Sequence, residues 1–377
     1  MRFYGEGLKR RRISIVLWIT VFWTAAAALD ALNTHAISGT ALLARTGAYN
    51  FPLFFTVNTL TAAASSLLSG SLLMFVLRDQ VRSRSFGFAI MINSFLIALL
   101  NVFFSAVGLA VYLSYQLGVP CWSETVELTT VELLRTGLLA KNVIFWTLVS
   151  FATTVMLHVN DKYGPGVLGK FLIGRYHKPR QEERIFMFAD IRSSTVMAER
   201  LGHIRFFNLL NDFFNDLTNP IIAARGEIYQ YVGDEIVISW PMPVGLEQAN
   251  CIRCFYGMQA AIRRQAPRYL DRYGIVPEFK AGLHCGEVTV GEIGVIKKDL
   301  VFSGDVLSTT SRLQNLCNEY NVKILLSKYL LDKLNIPPND LTIQRVDLLE
   351  LKGKQQKVEL YTFPEEDPRT LNRLWVH

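Results

Sequence analysis

The chain has 377 residues, half of them hydrophobic, and a formal net charge of +7 from 39 basic and 32 acidic side chains. This hydrophobic content is high for a purely water-soluble protein and points to membrane spans. Much of the basic excess lies beside hydrophobic segments, and no arginine-rich stripe is interleaved with aromatics, so the composition argues against nucleic acid as a partner.

The N-terminal half contains four uncharged apolar stretches, each close to the length of a membrane-spanning helix. A helix needs about 20 residues to cross roughly 30 Å of hydrocarbon. The stretches run from Ile13 to Leu29, from Phe51 to Leu77, from Phe86 to Leu117 and from Asn142 to Val159. We therefore predict an α-helical transmembrane domain of about four spans over residues 1–160, with the lipid bilayer as its partner.

Basic residues alternate along this half in a way that orients the spans. Clusters of Lys and Arg precede the first stretch, separate the second from the third and follow the fourth, whereas the other two loops are poorer in them. This alternation follows the positive-inside rule and places both termini in the cytoplasm. It predicts a multi-pass protein of the cell (inner) membrane with a cytoplasmic C-terminal domain. A different number of spans would break the pattern.

The four stretches carry few polar groups; Asp30 lies near the end of one, and Asn58 and Asn93 are internal. An intramembrane polar residue can mark a ligand or ion path, but Asn and Ser also pair between packed helices. We favour pairing between helices here. The sequence identifies no ligand that this half would sense.

Residues 161–183 form a linker rich in Gly, Pro and charge. Gly164, Pro165 and Gly166 end the preceding helix, and Val167 to Ile173 has the pattern of a short amphipathic helix. Such a segment would either couple the membrane half to the cytoplasmic half or serve as a passive tether.

The C-terminal half changes to the pattern of an α+β domain, with strands and helices in alternation. Strands are predicted at Ile185–Ala189, Glu227–Val232, Ile236–Trp240, Pro277–Leu283, Glu287–Ile293 and Val322–Ser327, with two more between Thr342 and Thr362. Helices are predicted at Ser193–Gly202, Phe206–Ala224, Leu246–Gln265 and from Ser308 to Cys317. Pro277–Leu283 and Glu287–Ile293 are interpreted as a pair of strands.

The five cysteines are odd in number and scattered, which argues against a disulfide framework. Cys251 and Cys254 form a CxxC sequence, but no second pair or histidine pair follows at zinc spacing. We interpret them as two helix residues, one of them packed in the core.

Two isolated aspartates carry the chemistry. Asp190 ends the first strand of this half, and Asp234 lies in the tight turn between the next two strands. If these strands are neighbours, both carboxylates meet at one edge of the sheet, where hard oxygen ligands suit Mg²⁺ or Mn²⁺ together with substrate phosphates. An aspartate at a strand end is also a common turn former, so spacing alone leaves both interpretations open.

Four sequence blocks in the C-terminal half allow a more specific assignment by their order and spacing: FADIRSST, YQYVGDEIVISW, KAGLHCGEVTVGEIG and GDVLSTTSRLQ. Together they resemble the class III adenylyl and guanylyl cyclase homology domain. The resemblance covers residues 184–364, leaves 365–377 as a C-terminal tail and does not extend to the N-terminal half. It implies a ferredoxin-like α+β catalytic domain.

The resemblance also implies roles for single residues. Asp190 and Asp234 match the two metal aspartates, and Ile191 matches the residue whose backbone carbonyl joins the metal. Arg312 matches the arginine that stabilises the pentavalent transition state, for which a planar guanidinium is suited. Lys280 and Lys352 match lysines near the triphosphate; solvated strand lysines are the alternative for both.

Three positions depart from the family pattern. Gln230 stands where adenine-selecting members have lysine, and Val301 stands where its Asp or Thr partner is usual, so neither standard purine-reading group is present. Glutamine can donate and accept, and therefore suits adenine or guanine. Ser308 replaces the usual ribose-orienting Asn, and a serine would act through water.

The function implied is that of a membrane-bound adenylate cyclase, which converts ATP to 3′,5′-cyclic AMP and pyrophosphate. The family's mechanism implies two Mg²⁺ or Mn²⁺ ions per site and a site shared between two catalytic domains, hence a homodimer that a membrane signal would regulate. ATP is chosen over GTP on the frequency of adenylyl cyclases among bacterial-looking members. A guanylate or other nucleotide cyclase is one alternative, and a catalytically inactive signalling module is another. A diguanylate cyclase is disfavoured because Val232, not a second glycine, precedes Gly233.

Overall fold

A computed structural model describes most of the chain. The described residues are 3–46, 49–77, 86–133, 139–163, 178–296, 298–334, 343–350 and 357–363. The predicted linker helix, the C-terminal tail and Lys352 lie outside them. Two compact units divide the chain after Tyr163, the first made of Lys9–Tyr163, and each is treated separately below.

The first unit is helical. Its helices are α1 (Phe3–Thr46), α2 (Phe51–Leu72, continued by a π-helical turn at Leu73–Leu77), α3 (Phe86–Leu117), α4 (Glu124–Leu133) and α5 (Leu139–Tyr163). Four segments are long and apolar enough to cross a membrane: Lys9–Ala36, Phe51–Leu77, Ile90–Leu117 and Ala140–Asn160. The four predicted stretches are therefore confirmed as candidate membrane helices. The short helix α4, in a stretch read as loop, was not predicted.

Polar contacts and aromatic packing join these helices. Trp23 of α1 donates from Nε1 to Thr153 Oγ1 of α5 over 2.9 Å and is fully buried. The Ser65 hydroxyl of α2 donates to Asn101 Oδ1 of α3 over 2.7 Å. Asn58 Nδ2 donates to the Ala27 carbonyl at 3.3 Å. The expected polar pairing between helices is thus present for Asn58, whereas Asn93 Oδ1 is buried without a hydrogen-bond partner in the described part of the chain.

The second unit is built on a mixed sheet. Its strands are β1 (Arg180–Ile191), β2 (Glu227–Val232), β3 (Glu235–Pro241), β4 (Phe279–Ile293), β5 (Asp299–Ser303), β6 (Ile324–Ser327), β7 (Gln344–Glu350) and β8 (Lys357–Thr362). The order is β2-β3-β1-β4-β6-β8-β7, and β5 pairs with the far end of β4. The pairing of β4 with β6 is parallel and the other pairings are antiparallel.

Helices cover both faces of this sheet. They are α6 (Ser194–Leu201), α7 (His203–Ala223), α8 (Met242–Leu246), α9 (Asn250–Arg264), α10 (Ala266–Tyr273), α11 (Asp305–Leu316) and α12 (Lys328–Leu334). Alternate β1 residues separate the faces: Ile185 and Met187 join the core with α7 and α9, whereas Phe186 joins Phe302 and Val306 on the other side. The fold class is therefore confirmed: four candidate membrane helices, then a mixed α/β domain.

The predicted pair of strands around Gly286 was wrong, because β4 runs unbroken from Phe279 to Ile293. Gly286 is not in a turn. A Cβ there would lie 2.8 Å from Val306 Cγ2, so the glycine lets α11 approach the strand. The predicted helix from Leu246 was also too long: α9 begins at Asn250, after Gln248 and Ala249 with positive φ. Both Cys251 and Cys254 are buried, not only one.

A ladder of hydrogen bonds fastens α10 to α7. The Tyr269 hydroxyl donates to Asp216 Oδ2 at 2.7 Å, where Arg268 also pairs, and the Tyr273 hydroxyl donates to Asp212 Oδ2 at 2.9 Å. Tyr269 is fully buried, and the Asp216 side chain is 13% exposed. The ladder repeats after one helical turn, as the spacing of Asp212 from Asp216 requires.

We expect Tyr269→Phe to lower the free energy of unfolding by about 1.5–3 kcal/mol, since it removes a buried hydrogen bond to a charged acceptor. Thermal melting of the full chain would show this as a drop of several degrees. Tyr273→Phe is the matched control and should cost less, because the Asp212 side chain is 22% exposed and keeps water. Equal losses in the two variants would contradict the role of burial.

Candidate active site

Asp190 and Asp234 meet at one edge of the sheet. Asp190 lies near the end of β1, opposite Glu235 on β3 and Lys280 on β4. Asp234 occupies the turn between β2 and β3, which Gly233 permits with a φ of 63°. The two carboxyl groups lie close enough for Asp234 to raise the pKa of Asp190. The predicted meeting of the two aspartates is present in the structure.

The electrostatics of this edge are those of crowded carboxyls. Burial, followed by the hydrogen bond and charge of Asp234, raises the pKa of Asp190 to about 6. Burial and the charges of Asp190 and Asp234 raise the pKa of Glu235 to about 7. Lys280 opposes both shifts with its positive charge. A cation bound at this edge would stabilise the ionised forms of Asp190 and Glu235.

Lys280 lies against Asp190, with Nζ 3.8 Å from Oδ2, and is only 5% exposed. The alternative of a solvated strand lysine is excluded for this residue by its burial. Ile191 follows Asp190 with its side chain in the core, 1% exposed, which anchors the end of β1. Both predicted residues are thus next to the aspartate pair.

Gln314 of α11 is a site residue that the sequence did not single out. Its Nε2 donates to Asp190 Oδ2 at 3.0 Å, and the residue is 2% exposed. The helix comes close because β4 has Gly282 beneath it, where a Cβ would lie 2.3 Å from the Gln314 backbone nitrogen. The block TSRLQ contains this glutamine, but the sequence alone does not show that it contacts Asp190.

We expect Gln314→Leu to raise the pKa of Asp190, because the amide donates to the carboxylate and so stabilises its ionised form. Carbon NMR of selectively labelled aspartate carboxyls, followed against pH, measures the change. Asn315→Leu, the next residue on the same helix and exposed, is the control and should leave the titration unchanged. A fall in the pKa of Asp190 on removing Gln314 would contradict this assignment.

Arg312 and Ser308 are not brought to the aspartates. Both lie on the exposed side of α11, one turn apart, whereas Gln314 lies on its buried side. Ser308 Oγ donates to the Asp305 carbonyl at 2.9 Å, so its hydroxyl is bonded back to the first turn of its own helix. Among the described residues Arg312 has no recorded hydrogen bond or ion pair. Within one chain the predicted catalytic groups therefore form two separate sets.

Gln230 and Val301 lie on two strands that contact each other. The contact is made by Tyr229, which precedes Gln230, and Phe302, which follows Val301. Gln230 is exposed on β2, beside Tyr229, and Val301 is half-buried on β5, beside Phe302. The Phe302 backbone N–H donates to the Tyr229 hydroxyl at 3.3 Å, and the two rings are 5.0 Å apart. The strands that carry the two expected base-reading positions are thus held together in one chain. β5 itself was not predicted.

The donor set at Asp190 and Asp234 fits a divalent cation of the Mg²⁺ or Mn²⁺ type. Carboxylate oxygens are the ligands that these ions prefer, and crowding of the two groups gives a cation a place to be bound. In the described part of the chain no three or more His, Cys, Asp or Glu side chains surround a common centre. Substrate oxygens or water would have to complete the coordination.

Comparison with known proteins agrees with this geometry. Residues 176–365, half of the chain, match the adenylate and guanylate cyclase catalytic domain. Adenylate cyclase 2 of Rhizobium meliloti (strain 1021) is 38% identical over 218 residues, which are 58% of this chain and 60% of that protein. The terminal-differentiation specific adenylate cyclase of Dictyostelium discoideum is 27% identical over 196 residues, 49% of this chain and 9% of that protein.

The match thus spans less than two thirds of either relative. Among solved structures, a bacterial light-regulated adenylyl cyclase aligns with a TM-score of 0.49 and 21% identity, over 59% of this chain and 65% of that one. The match over residues 176–365 decides the family. The chain belongs to the family of the adenylate and guanylate cyclase catalytic domain.

Proposed function

We propose that this chain is a membrane-bound adenylate cyclase, which makes 3′,5′-cyclic AMP and pyrophosphate from ATP. The observation that carries the proposal is the pair of adjoining carboxyls, Asp190 and Asp234, at the edge of a cyclase-family sheet. The choice of ATP is supported by the 38% identity to a protein named adenylate cyclase.

In the proposed reaction the ribose 3′-oxygen attacks the α-phosphorus, the bond from that phosphorus to the β-phosphate oxygen breaks, and pyrophosphate leaves. The hydroxyl proton passes to solvent. Asp190 and Asp234 would hold two Mg²⁺ or Mn²⁺ ions, with the Ile191 carbonyl as a further ligand. When bound, such ions lower the pKa of the hydroxyl and neutralise phosphate charge.

The remaining groups orient the metal-binding aspartate and neutralise negative charge on the phosphates. Lys280, held 3.8 Å from Asp190, places a positive charge at the phosphate side of the site. Gln314 fixes the orientation of the Asp190 carboxylate through its hydrogen bond. Arg312 would stabilise the charge that develops on the phosphoryl oxygens in the transition state. Lys352 keeps its proposed phosphate contact, and this residue lies outside the described part.

Two copies of the domain would complete each site. Arg312 lies on the exposed side of α11, away from the Asp190 contact that Gln314 makes, so a second chain must supply it to the aspartates. Large apolar side chains stand exposed on α6, α7 and β2, with Val196 63%, Phe207 63% and Val232 52% exposed. A partner domain that covers them would bury apolar surface, and two-fold symmetry would give two equal sites.

Base recognition would fall to Gln230 and Val301. The Gln230 amide presents both a donor and an acceptor to a purine edge, and Val301 offers only apolar contact. A guanylate cyclase is the second candidate, favoured by this absence of lysine at position 230. Ser308 would orient the ribose through water, since its hydroxyl is occupied by the Asp305 carbonyl.

The membrane half would place the catalytic domain on the cytoplasmic face of the cell (inner) membrane. The four candidate spans support a multi-pass arrangement, and the distribution of basic residues supports the orientation. A signal received by the helices would act by changing how two catalytic domains meet.

The proposal is tested with the full chain in membranes, Mn²⁺ and each of ATP, GTP, CTP and UTP, with products identified by mass. Cyclic AMP that disappears in Asp234→Ala would support the proposal. Cyclic GMP as the main product would favour the guanylate alternative. If a folded, dimeric protein makes no cyclic product, the proposal of an enzyme is overturned, and the alternative of a catalytically inactive signalling module remains.

A further inference from the structure

The membrane unit contains an ion pair at which four helices meet. Asp30 of α1 and Lys141 of α5 are joined, with Nζ 2.8 Å from Oδ1 and 2.9 Å from Oδ2. Lys141 also donates to the Thr34 hydroxyl, one turn along α1. Both charges lie inside segments apolar enough to span a membrane, Lys9–Ala36 and Ala140–Asn160. Charged residues within spanning segments are uncommon, but their cost is lower near helix ends, so a function for this pair has to be argued from its surroundings.

The pair is not sealed by packing. The Lys141 side chain is 33% exposed and that of Asp30 is 14% exposed. Both line a cavity of about 60 Å³ that all four long helices enclose. Other polar groups on its wall are Asn58, Ser105 and Asn142. At about 30 Å³ per water, it has room for about two waters.

One wall of the cavity is aromatic. Phe54 and Tyr112 line it with their rings edge to face, 5.5 Å between centroids. Tyr112 is held by the Asn50 backbone N–H, which donates to its hydroxyl at 3.3 Å, and by packing against α4. The wall is therefore fixed in place, and aromatic faces attract an ammonium group.

The charges select the chemistry of the ligand. A simple cation would be attracted by the Asp30 carboxylate and repelled by the adjacent Lys141 ammonium. A simple anion would be attracted by Lys141 and repelled by Asp30. A compact zwitterion satisfies both, because its ammonium pairs with Asp30 while its anionic group pairs with Lys141. The amides and hydroxyls on the wall then complete its hydrogen bonds.

We propose that this cavity binds a small zwitterion with an ammonium and an anionic group a few bonds apart. An amino acid such as alanine, with on the order of six non-hydrogen atoms, has this chemistry; it is larger than the cavity, so part of it would project through the open side, where the Lys141 side chain is 33% exposed. The ethanolamine phosphate headgroup of a lipid has the same pair of charges. Asp30 lies in the last two turns of the first span and Lys141 at the start of the last one, so the cavity opens near one end of the bundle.

Binding is measured on the full chain in nanodiscs of phosphatidylcholine and phosphatidylglycerol, by titration with alanine up to about 10 mM, where ligands with a Kd near 1 mM are still detected. Methylamine and acetate, the two halves of the zwitterion, are titrated in parallel. We expect saturable binding of alanine and at least tenfold weaker binding of either half. Because binding is read directly, its failure is distinct from a failure of cyclase activity.

Variants place the site. Asp30→Asn and Lys141→Gln should each weaken alanine binding at least tenfold, whereas Thr20→Val, on the same helix as Asp30 and bonded only to its own helix at Val16, should not. Thermal melting confirms that each variant is folded. Unchanged binding in Asp30→Asn and Lys141→Gln, or equal binding of acetate, methylamine and alanine, overturns the proposal.

A last arm separates the two sources of the zwitterion. Nanodiscs that contain phosphatidylethanolamine should weaken alanine binding and raise the melting temperature of the wild type, but not of Asp30→Asn, if the headgroup occupies the cavity. Alanine binding that does not depend on this lipid assigns the cavity to a free molecule. If the wild type neither binds alanine nor responds to the lipid, Asp30 and Lys141 form only a structural pair and the proposal fails.

Discussion

Asp190→Ala and Arg312→Ala chains, each inactive by itself, are expected to recover about a quarter of wild-type cyclase activity when they are produced together. The expectation follows from the placement of the two residues. Asp190 lies at the aspartate edge, in contact with Gln314, whereas Arg312 lies on the opposite, exposed side of the same helix. If each site takes its aspartates from one chain and its arginine from the other, the two substitutions affect different chains' contributions to the site.

The size of the recovery follows from symmetry. Random pairing of two equally abundant chains gives about half heterodimers, and each heterodimer has one intact site and one that carries both defects. Each single variant should lose about 10²–10³-fold in turnover, since it lacks either a group that neutralises the transition state or one that binds the metal. The recovered activity would therefore stand well above the background of either variant alone.

The matched control pairs Asp190→Ala with Asp234→Ala. Both changes lie in the same half of the site, so every heterodimer has two defective sites and activity should stay at the background. Cross-linking or light scattering confirms that the chains associate in each mixture. Recovery in the control pair, or none in the pair with Arg312→Ala despite association, would contradict a site shared between chains.

The features predicted from the sequence were those that composition or alternation encodes locally. A long run without charge is sufficient to identify each span, because hydrocarbon admits little else. The buried strand before Asp190 and the Gly233-Asp234 turn were equally readable, since a strand end and a glycine with positive φ follow from neighbours in the chain. The meeting of the two aspartates then depended only on β1 and β3 being adjacent.

The features that were missed depend on contacts between distant segments. Gly286 resembles a turn glycine in the sequence, but it lies inside β4, paired with Arg184 of β1 and close to Val306. Gln314 is one of several polar residues on α11, and only the approach of that helix to Gly282 directs it to Asp190. The fourth stretch was predicted to begin at Asn142, yet Lys141 lies within the span and pairs with Asp30 across more than a hundred positions.

Gly282 shows how one such contact supports the site. It lies on β4 between Phe188 of β1 and Leu325 of β6, directly beneath α11. A Cβ at this position would lie 2.3 Å from the Gln314 nitrogen and 2.6 Å from the Thr310 carbonyl oxygen. Both are backbone atoms, so no change of rotamer relieves the overlap and the helix itself must move away from the sheet.

We therefore expect Gly282→Ala to lower the free energy of unfolding by about 3 kcal/mol or more, at the upper end of the cost of overpacking. It should also break the hydrogen bond from Gln314 to Asp190 and so reduce cyclase activity even below the melting temperature. Gly291→Ala on the same strand is the control, because its Cβ would meet Pro179 at an ordinary 3.4 Å and stability should hold. The free energies of unfolding of the two variants are measured side by side by denaturation. Equal stability would mean that α11 can shift without loss of stability. The close approach at Gly282 would then not be what holds Gln314 against Asp190.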